Sequence, residues 1–316
     1  CFPPLEVVID VCLFTLSGLK DTTAKYRITL FSLTLCCYSV ILLVNVALIL
    51  TIVLDKKLHK PMYIFLCTLC LNSLYGTAAF HPKFLYDLLS NTQVISYSGC
   101  LLQVFVIYSY ASTDFSILSV MAYDRYVAIC RPLEYHAIMT QQRVALLVTF
   151  SRIVPMICQT LVVIMSFKLT LCGSHVEKLY CDNWSILLLS CYSTTPNNIV
   201  GYCVILFYSF HAVFVMLSYM QLIKFSLKYK DCKKKFLQTC VPHLFSLINL
   251  TVALLFDLMY ARYGSRSMMQ SVKNFLAIQF LIIPPLFNPI VYGLNLTQVR
   301  NSFLRLCKHK KQHLVG

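Results

Sequence analysis

A bundle of seven membrane-spanning α-helices, an all-α membrane protein, is the fold this sequence predicts, and three observations predict it. The chain has 316 residues, is 58% hydrophobic and only 12% charged, and has a mean hydropathy of +0.71. Its apolar residues gather into stretches long enough to cross a bilayer, at about 20 helical residues per crossing. Its basic residues fall in short clusters between those stretches. A soluble domain of this size carries about a quarter charged residues, so the solvent for most of this chain is lipid. The net charge of +15 does not point to nucleic acid, because short basic clusters between apolar runs report membrane orientation and contact with anionic lipid.

The spans run over 28–54, 61–88, 99–126, 143–167, 197–226, 236–259 and 274–294. The second is the weakest, because Asn72 and Ser73 interrupt it and His81-Pro82 is expected to kink or end it. Connections are short except near 168–196, and one bundle domain accounts for 28–296. Residues 1–27 form a tail before it and 297–316 a tail after it. The sequence begins at Cys1 rather than Met, and no cleavable leader pattern precedes residue 28, so the first span is expected to act as its own insertion signal. With the N-terminus outside, the inner loops and tail hold sixteen Lys or Arg, within 56–60, 131–143, 224–235 and 300–311. The outer segments hold nine. That excess places the C-terminus of a multi-pass membrane protein in the cytoplasm.

Most of the sixteen cysteines lie inside apolar runs, as small buried hydrophobes. Four lie on the outer side: Cys100 at the start of the third span, and Cys172, Cys181 and Cys191 in the long loop. In an oxidising compartment they can form two disulfides, and spacing leaves all three pairings open. Asn183-Trp184-Ser185 in the same loop is a glycosylation sequon.

Ionisable groups inside spans are costly and face the bundle interior. At 3.6 residues per turn, positions 107, 111, 114, 118, 121 and 125 lie along one stripe of the third helix. Asp114 and Arg125 therefore share a face, with Arg125 at the cytoplasmic end. Asp124-Arg125 reads either as a plain interfacial ion pair or as a latch that changes partners when the bundle opens. The seventh span ends in Asn288-Pro289-Ile290-Val291-Tyr292. There proline frees a backbone carbonyl and Asn288 can bond its polar neighbours, which makes a deformable hinge.

Together these residues resemble a known family. "MAYDRYVAIC" at 121–130, followed by Arg131-Pro132-Leu133, and "NPIVY" at 288–292 resemble the rhodopsin-like G-protein-coupled receptors. "LHKPMYIFL" at 58–66 and "KKFLQTCVPHL" at 234–244 resemble the odorant-receptor branch. The texture of the second span, around 66–85, looks like a fish-type member. The resemblance covers roughly 25–306.

It implies a receptor that binds a small molecule from outside and activates a stimulatory G protein inside, with no cofactor, no metal and no catalytic residue. Arg125 with Asp124 and Tyr126 would form the latch, and Tyr219 and Tyr292 would rearrange around it. Lys234, Lys235 and the loop at 131–142 would face the G protein. The disulfides would be Cys100–Cys181 and Cys172–Cys191. Residues 297–307 would form a short cytoplasmic amphipathic helix along the membrane, meeting anionic lipid, with Cys307 either palmitoylated or a free interfacial thiol.

The chain departs from the family pattern twice. The acid usual on the second helix is replaced by Ser73, which leaves Asp114 alone and puts a two-carboxylate sodium site in doubt. Asp114 is then expected to be protonated or hydrogen-bonded to Asn288. The fourth helix carries Arg152 where the family has Trp. A charge inside a span costs about 2.5–3.5 kcal/mol on insertion scales, so Arg152 snorkels, pairs within the bundle, or marks a copy that no longer functions.

The ligand is expected between helices three, five, six and seven. Tyr108 and Ser112 sit one turn apart on the third, and Cys203, Phe207, Thr251, Leu258 and Ile278 hold the family's pocket positions. Each also suits plain core packing. A mostly apolar pocket with few polar groups fits a small odorant. Arg262, one turn beyond Leu258, can grip a carboxylate or amino acid through a bidentate pair, or can pair with Asp257 or lipid. No Lys in 274–294 serves an opsin Schiff base, and Ile107 stands where amine receptors carry Asp.

A transporter or channel would show paired broken helices or a path lined with charges, and neither is present. An enzyme would need a nucleophile with a base, or paired acids, whereas His81, His211 and His243 are scattered. A non-olfactory chemosensory receptor is the nearer alternative.

Overall fold

Lipid offers backbone amides no hydrogen-bonding partner, so an apolar run inside it satisfies its own backbone as a helix. The computed structural model describes residues 13–20, 22–228, 244–253, 256 and 270–315. After strand β1 (Leu13–Leu16) come α1 (Ala24–Leu54), a 3-10 turn (Lys56–Leu58), α2 (Pro61–Leu89), β2 (Val94–Ser96) and α3 (Tyr97–Cys130). Then follow α4 (Tyr135–Ile138), α5 (Gln141–Phe167), β3 (His175–Val176), α6 (Asn183–Leu188) and α7 (Thr195–Lys228). The chain closes with α8 (Leu244–Ala253), α9 (Gln270–Asn295) and α10 (Thr297–Val315). α1, α2, α3, α5, α7, α8 and α9 correspond to the seven expected spans. Of the sixth, 236–259, only α8 and Phe256 are described.

Several helices outrun their apolar windows. α3 has 34 residues, which is about 51 Å against a hydrocarbon core of about 30 Å. Bilayer thickness limits the apolar stretch, not the helix. Local signals set the ends: Ser96 Oγ accepts from the Gly99 N–H at 3.1 Å at the start of α3, and Pro61 opens α2. Pro82 does not end the second span, because α2 continues to Leu89. Its neighbour His81 is fully buried and stacked on Tyr38 at 4.7 Å, so packing holds the helix through the missing backbone bond.

α3 is the axis of the bundle. All six positions of its expected stripe, from Ile107 to Arg125, are buried, and it packs against α2, α5 and α7. α1, α5 and α7 turn broad apolar faces outward, with Leu43, Phe150 and Phe210 all more than 60% exposed. In water that would be a liability; here it is the surface lipid covers. Gly76 allows the closest approach, since a Cβ there would meet the Tyr110 ring at 2.2 Å.

A three-stranded sheet caps one end of the bundle. β1 pairs antiparallel with β2 (Phe14↔Ile95) and parallel with β3 (Leu16↔Val176). Strand alternation turns Phe14 and Leu16 inward, onto Cys100, Val104, Cys181 and Ile186. The tail before the first span thus contributes a strand at Leu13–Leu16, and α1 begins at Ala24 rather than residue 28.

At the opposite end α10 turns 85° from α9. Asp55, just past α1, is the pin that holds it: the carboxylate accepts from Ser302 Oγ and from the Lys57 N–H at 3.1 Å, and forms an ion pair with Arg305. The Ser302 hydrogen bond, opposed by burial and helped by the Lys57 N–H and Arg305, holds the Asp55 carboxyl below the usual carboxylate range. A depressed carboxyl stabilises the folded form fully above its unfolded value of about 3.9 and loses that contribution as pH falls through the folded value. Asp55→Asn is therefore expected to loosen α10 at neutral pH, seen as faster amide exchange over 297–308. The wild type should loosen likewise only below about pH 4, and unchanged exchange in the variant would refute the pin.

Candidate functional site

Two constellations lie at different depths along α3. Near its far end Asp124 and Arg125 are both buried, and the Arg125 Nε–H donates to Asp124 Oδ2 at 2.9 Å. Arg131-Pro132 stops α3 and turns the chain back through α4, which brings Tyr135 alongside. Its hydroxyl donates to Asp124 Oδ1 at 2.8 Å. Burial first, then the Asp124 charge, pushes the Tyr135 phenol well above its ordinary value, so it remains a donor. Sequence reading missed Tyr135; the Pro two residues past the end of α3 was the available signal.

Tyr219 on α7 and Tyr292 on α9 are buried on the inward sides of their helices, and Tyr126 is half-buried against the core. Pro289 is buried within α9. Lys234 and Lys235 lie outside the described residues, as do Leu258, Arg262, Asp257 and His243.

Of the two states expected for Asp114, protonated or hydrogen-bonded to Asn288, the bond to Asn288 is not formed. Asn72 Nδ2 donates to Asp114 Oδ1 at 2.7 Å and to the Tyr110 carbonyl at 2.9 Å, whereas Asn288 Oδ1 accepts from Ser246 Oγ. Asn72 wins because α2 is closely packed on α3 at Gly76, one turn away. Asn288 instead faces α8. Ser73, beside Asn72, is fully buried and its hydroxyl has no hydrogen-bond partner among the described residues.

Beneath the cap, Ser112 is buried and its Oγ accepts from Gln159 Nε2 of α5 at 3.2 Å. Tyr208 of α7 is buried close by, its ring 6.3 Å from Phe115, and its hydroxyl makes no hydrogen bond among the described residues. This Ser112–Gln159–Tyr208 cluster, with the buried Ser116 one turn away donating to the Ser112 carbonyl at 3.1 Å, sets polar groups among apolar neighbours. Gln159 and Tyr208 were missed because neither belongs to a local motif; only the rotation of α5 and α7 about their axes brings them to Ser112.

The same rotation places Cys203 and Phe207 on the exposed side of α7, a correction to the expected pocket. Phe207 lines an outward groove of about 440 Å³ between α3, α5 and α7, together with His211. A residue one position along a helix points 100° away, which separates Phe207 from Tyr208. Tyr108 is half-buried against the cap cluster. Ile278 packs on the main core, and the Thr251 hydroxyl bonds its own helix at Leu247 O, 2.7 Å away.

The cap itself is covalently tied. Disulfides join Cys100 to Cys181 and Cys172 to Cys191. The Cys181 N–H donates to Gln103 Oε1 at 2.9 Å, and Tyr180 packs edge-on over Phe80 at 5.9 Å. Asn183 begins α6 half-buried, with its Oδ1 accepting from Ser166 Oγ at 2.7 Å, so the sequon side chain is engaged rather than presented. Cys307 is exposed on α10. Among the described residues no three or more His, Cys, Asp or Glu are placed to hold a metal.

Against this geometry, a sequence model of the family described as olfactory receptor matches residues 34–310. Olfactory receptor 10J5 of Homo sapiens is 34% identical over 289 residues, covering 89% of this chain and 91% of that protein. Olfactory receptor 52D1 of Homo sapiens is 34% identical over 275 residues, with 85% and 86% covered. Olfactory receptor 1D2 of Homo sapiens is 32% identical over 307 residues, with 95% and 96% covered.

Proposed function

The chain belongs to the olfactory receptor family, the seven-helix G-protein-coupled receptors of the plasma membrane, and from that premise we propose how it binds its odorant and signals. The disulfide-tied cap lies outside the cell and the Arg125 end faces the cytoplasm, where the receptor activates a stimulatory G protein and raises cyclic AMP. Positive charge concentrated in 56–60, 131–143, 224–235 and 300–311 supports that orientation.

The observation that carries the ligand site is the buried Ser112–Gln159–Tyr208 cluster beneath the cap. It gives a largely apolar region two hydroxyls and one carboxamide able to orient a small molecule. Tyr108 borders that site at the cap, Thr251 and Ile278 close it from the other helices, and Leu258 is the further pocket position that the family resemblance implies. Arg262 supplies the grip for a carboxylate or amino-acid odorant. Lys234 and Lys235 meet the G protein, α10 lies on anionic lipid, and Cys307 is its acylation point.

The test is cyclic-AMP output from cells expressing the receptor with an olfactory-type stimulatory G protein, over a panel of carboxylic acids, amino acids and neutral odorants. Ser112→Ala and Gln159→Leu are each expected to weaken the best agonist about five- to tenfold, the worth of one buried hydrogen bond. Arg262→Ala should abolish responses to acids and spare neutral agonists. Full responses in all three variants would sink this site.

A second reading, a copy that no longer signals, rests on Arg152. It is half-buried in α5 with no hydrogen bond or ion pair among the described residues. Silence without surface expression, relieved by Arg152→Trp, is the outcome that would favour it.

A further inference from the structure

A cavity of about 430 Å³ opens where the 3-10 turn after α1, the start of α2 and the first turns of α10 meet. Lys57, Lys60 and Arg305 line it, together with the carboxamides of Gln298 and Asn301. Nothing in the receptor reading uses it. We propose that it is a binding site for a phosphomonoester, presented either on a phosphorylated inositol lipid headgroup or as a soluble inositol phosphate.

Charge is the first argument. Three cations line the cavity, and the only carboxylate nearby among the described residues, Asp55, is buried behind it on Ser302 and Arg305. One cation is thereby matched, which leaves a surplus of two positive charges facing the opening. A phosphomonoester carries about −1.5 to −2 at neutral pH. A carboxylate would neutralise half of that surplus.

The donors are the second argument. Tyr63 donates to Gln298 Oε1 at 2.8 Å, which fixes the carboxamide and leaves its N–H₂ as the free end. Asp55 fixes Arg305 while that side chain is still about half exposed, with N–H groups left to offer. A guanidinium, two ammonium groups and oriented amides are the donor set that phosphate oxygens accept from.

Size and place are the third. The volume falls in the range that holds a whole small molecule, which suits a phosphorylated ring better than a lone phosphate. Phe303 and Leu304 stand exposed on other faces of α10 and lay that helix against the bilayer, so the cavity rim is level with lipid headgroups. The lipid source requires this end of the bundle to be cytoplasmic, as proposed above; the soluble source does not.

The test uses the full chain in neutral phosphatidylcholine nanodiscs. One arm measures binding of labelled inositol trisphosphate from solution; the other counts retained phosphatidylinositol bisphosphate by native mass spectrometry. Wild-type protein should bind in at least one arm, and the arm that responds names the source. Lys57→Gln with Lys60→Gln is expected to weaken binding about thirtyfold, at two surface charges lost. Arg300→Gln, exposed on α10 but outside the cavity, should change it less than threefold (about one residual long-range contact). Should the double variant fold poorly, Asn301→Asp places a negative charge in the cavity with all its cations intact, and should weaken binding comparably. Binding in neither arm, binding no stronger than that of unphosphorylated inositol, or equal losses from Arg300→Gln would each overturn the proposal.

Discussion

Asp124→Asn is expected to raise ligand-independent cyclic-AMP output about tenfold or more while lowering the stability of the purified receptor. Arg125 is buried, and Asp124 is its charged partner and the acceptor for Tyr135. Breaking a buried ion pair by neutralising one member leaves the other charge uncompensated, at a cost of about 3–5 kcal/mol. If the pair exists chiefly in the resting bundle, that cost falls on the resting state. A differential of about 2.7 kcal/mol already moves an equilibrium a hundredfold. Tyr135→Phe removes a single hydrogen bond to the same carboxylate, about 1 kcal/mol, and should raise basal output about fivefold. Basal output at the wild-type level in Asp124→Asn, with normal surface expression, would mean the pair is structural and not a latch.

Cys100→Ser is expected to abolish surface expression, and Cys172→Ser to reduce it only in part. The Cys100–Cys181 bridge spans 81 positions and Cys172–Cys191 spans 19. Chain entropy alone assigns about 4.5 and about 3.3 kcal/mol to loops of these lengths. Both are upper values, since helices already inserted in the membrane restrict the unfolded chain. Packing separates the two further. Cys100 and Cys181 are fully buried in the cap cluster with Phe14, Val104 and Ile186, whereas Cys191 is exposed. Losing the first bridge frees the sheet together with the loop over the bundle mouth. Cell-surface immunostaining of the two variants decides it, and equal expression of both would show that the buried bridge adds nothing beyond the outer one.

The sequence by itself determined the family, most of the spans and the inward stripe of the third helix. Each rests on something local or periodic. An apolar run of fixed length answers to bilayer thickness, so six of the expected spans differ from their helices only at the ends, and of the sixth only Leu244–Ala253 and Phe256 are described. A 3.6-residue stripe answers to helix geometry, so all six positions from Ile107 to Arg125 are buried. Asp124-Arg125 are chain neighbours, and their pairing needed no fold to foresee.

Only the tertiary structure decided which side chains from different helices meet. Asp114 bonds Asn72 rather than Asn288 because Gly76 lets α2 sit against α3, a fact about inter-helix distance that no periodicity holds. Ser112 meets Gln159 and lies beside Tyr208, while Phe207 turns outward, because each lipid-embedded helix is free to rotate until its neighbours fix it. Neither face of an apolar helix is marked polar or apolar strongly enough to announce that rotation. The β1 strand, the Tyr135 bond and the basic cavity at α10 likewise join residues far apart in the chain or across a turn. Their contacts arise when packed helices bring loop ends together, and the linear sequence carries no term for that distance.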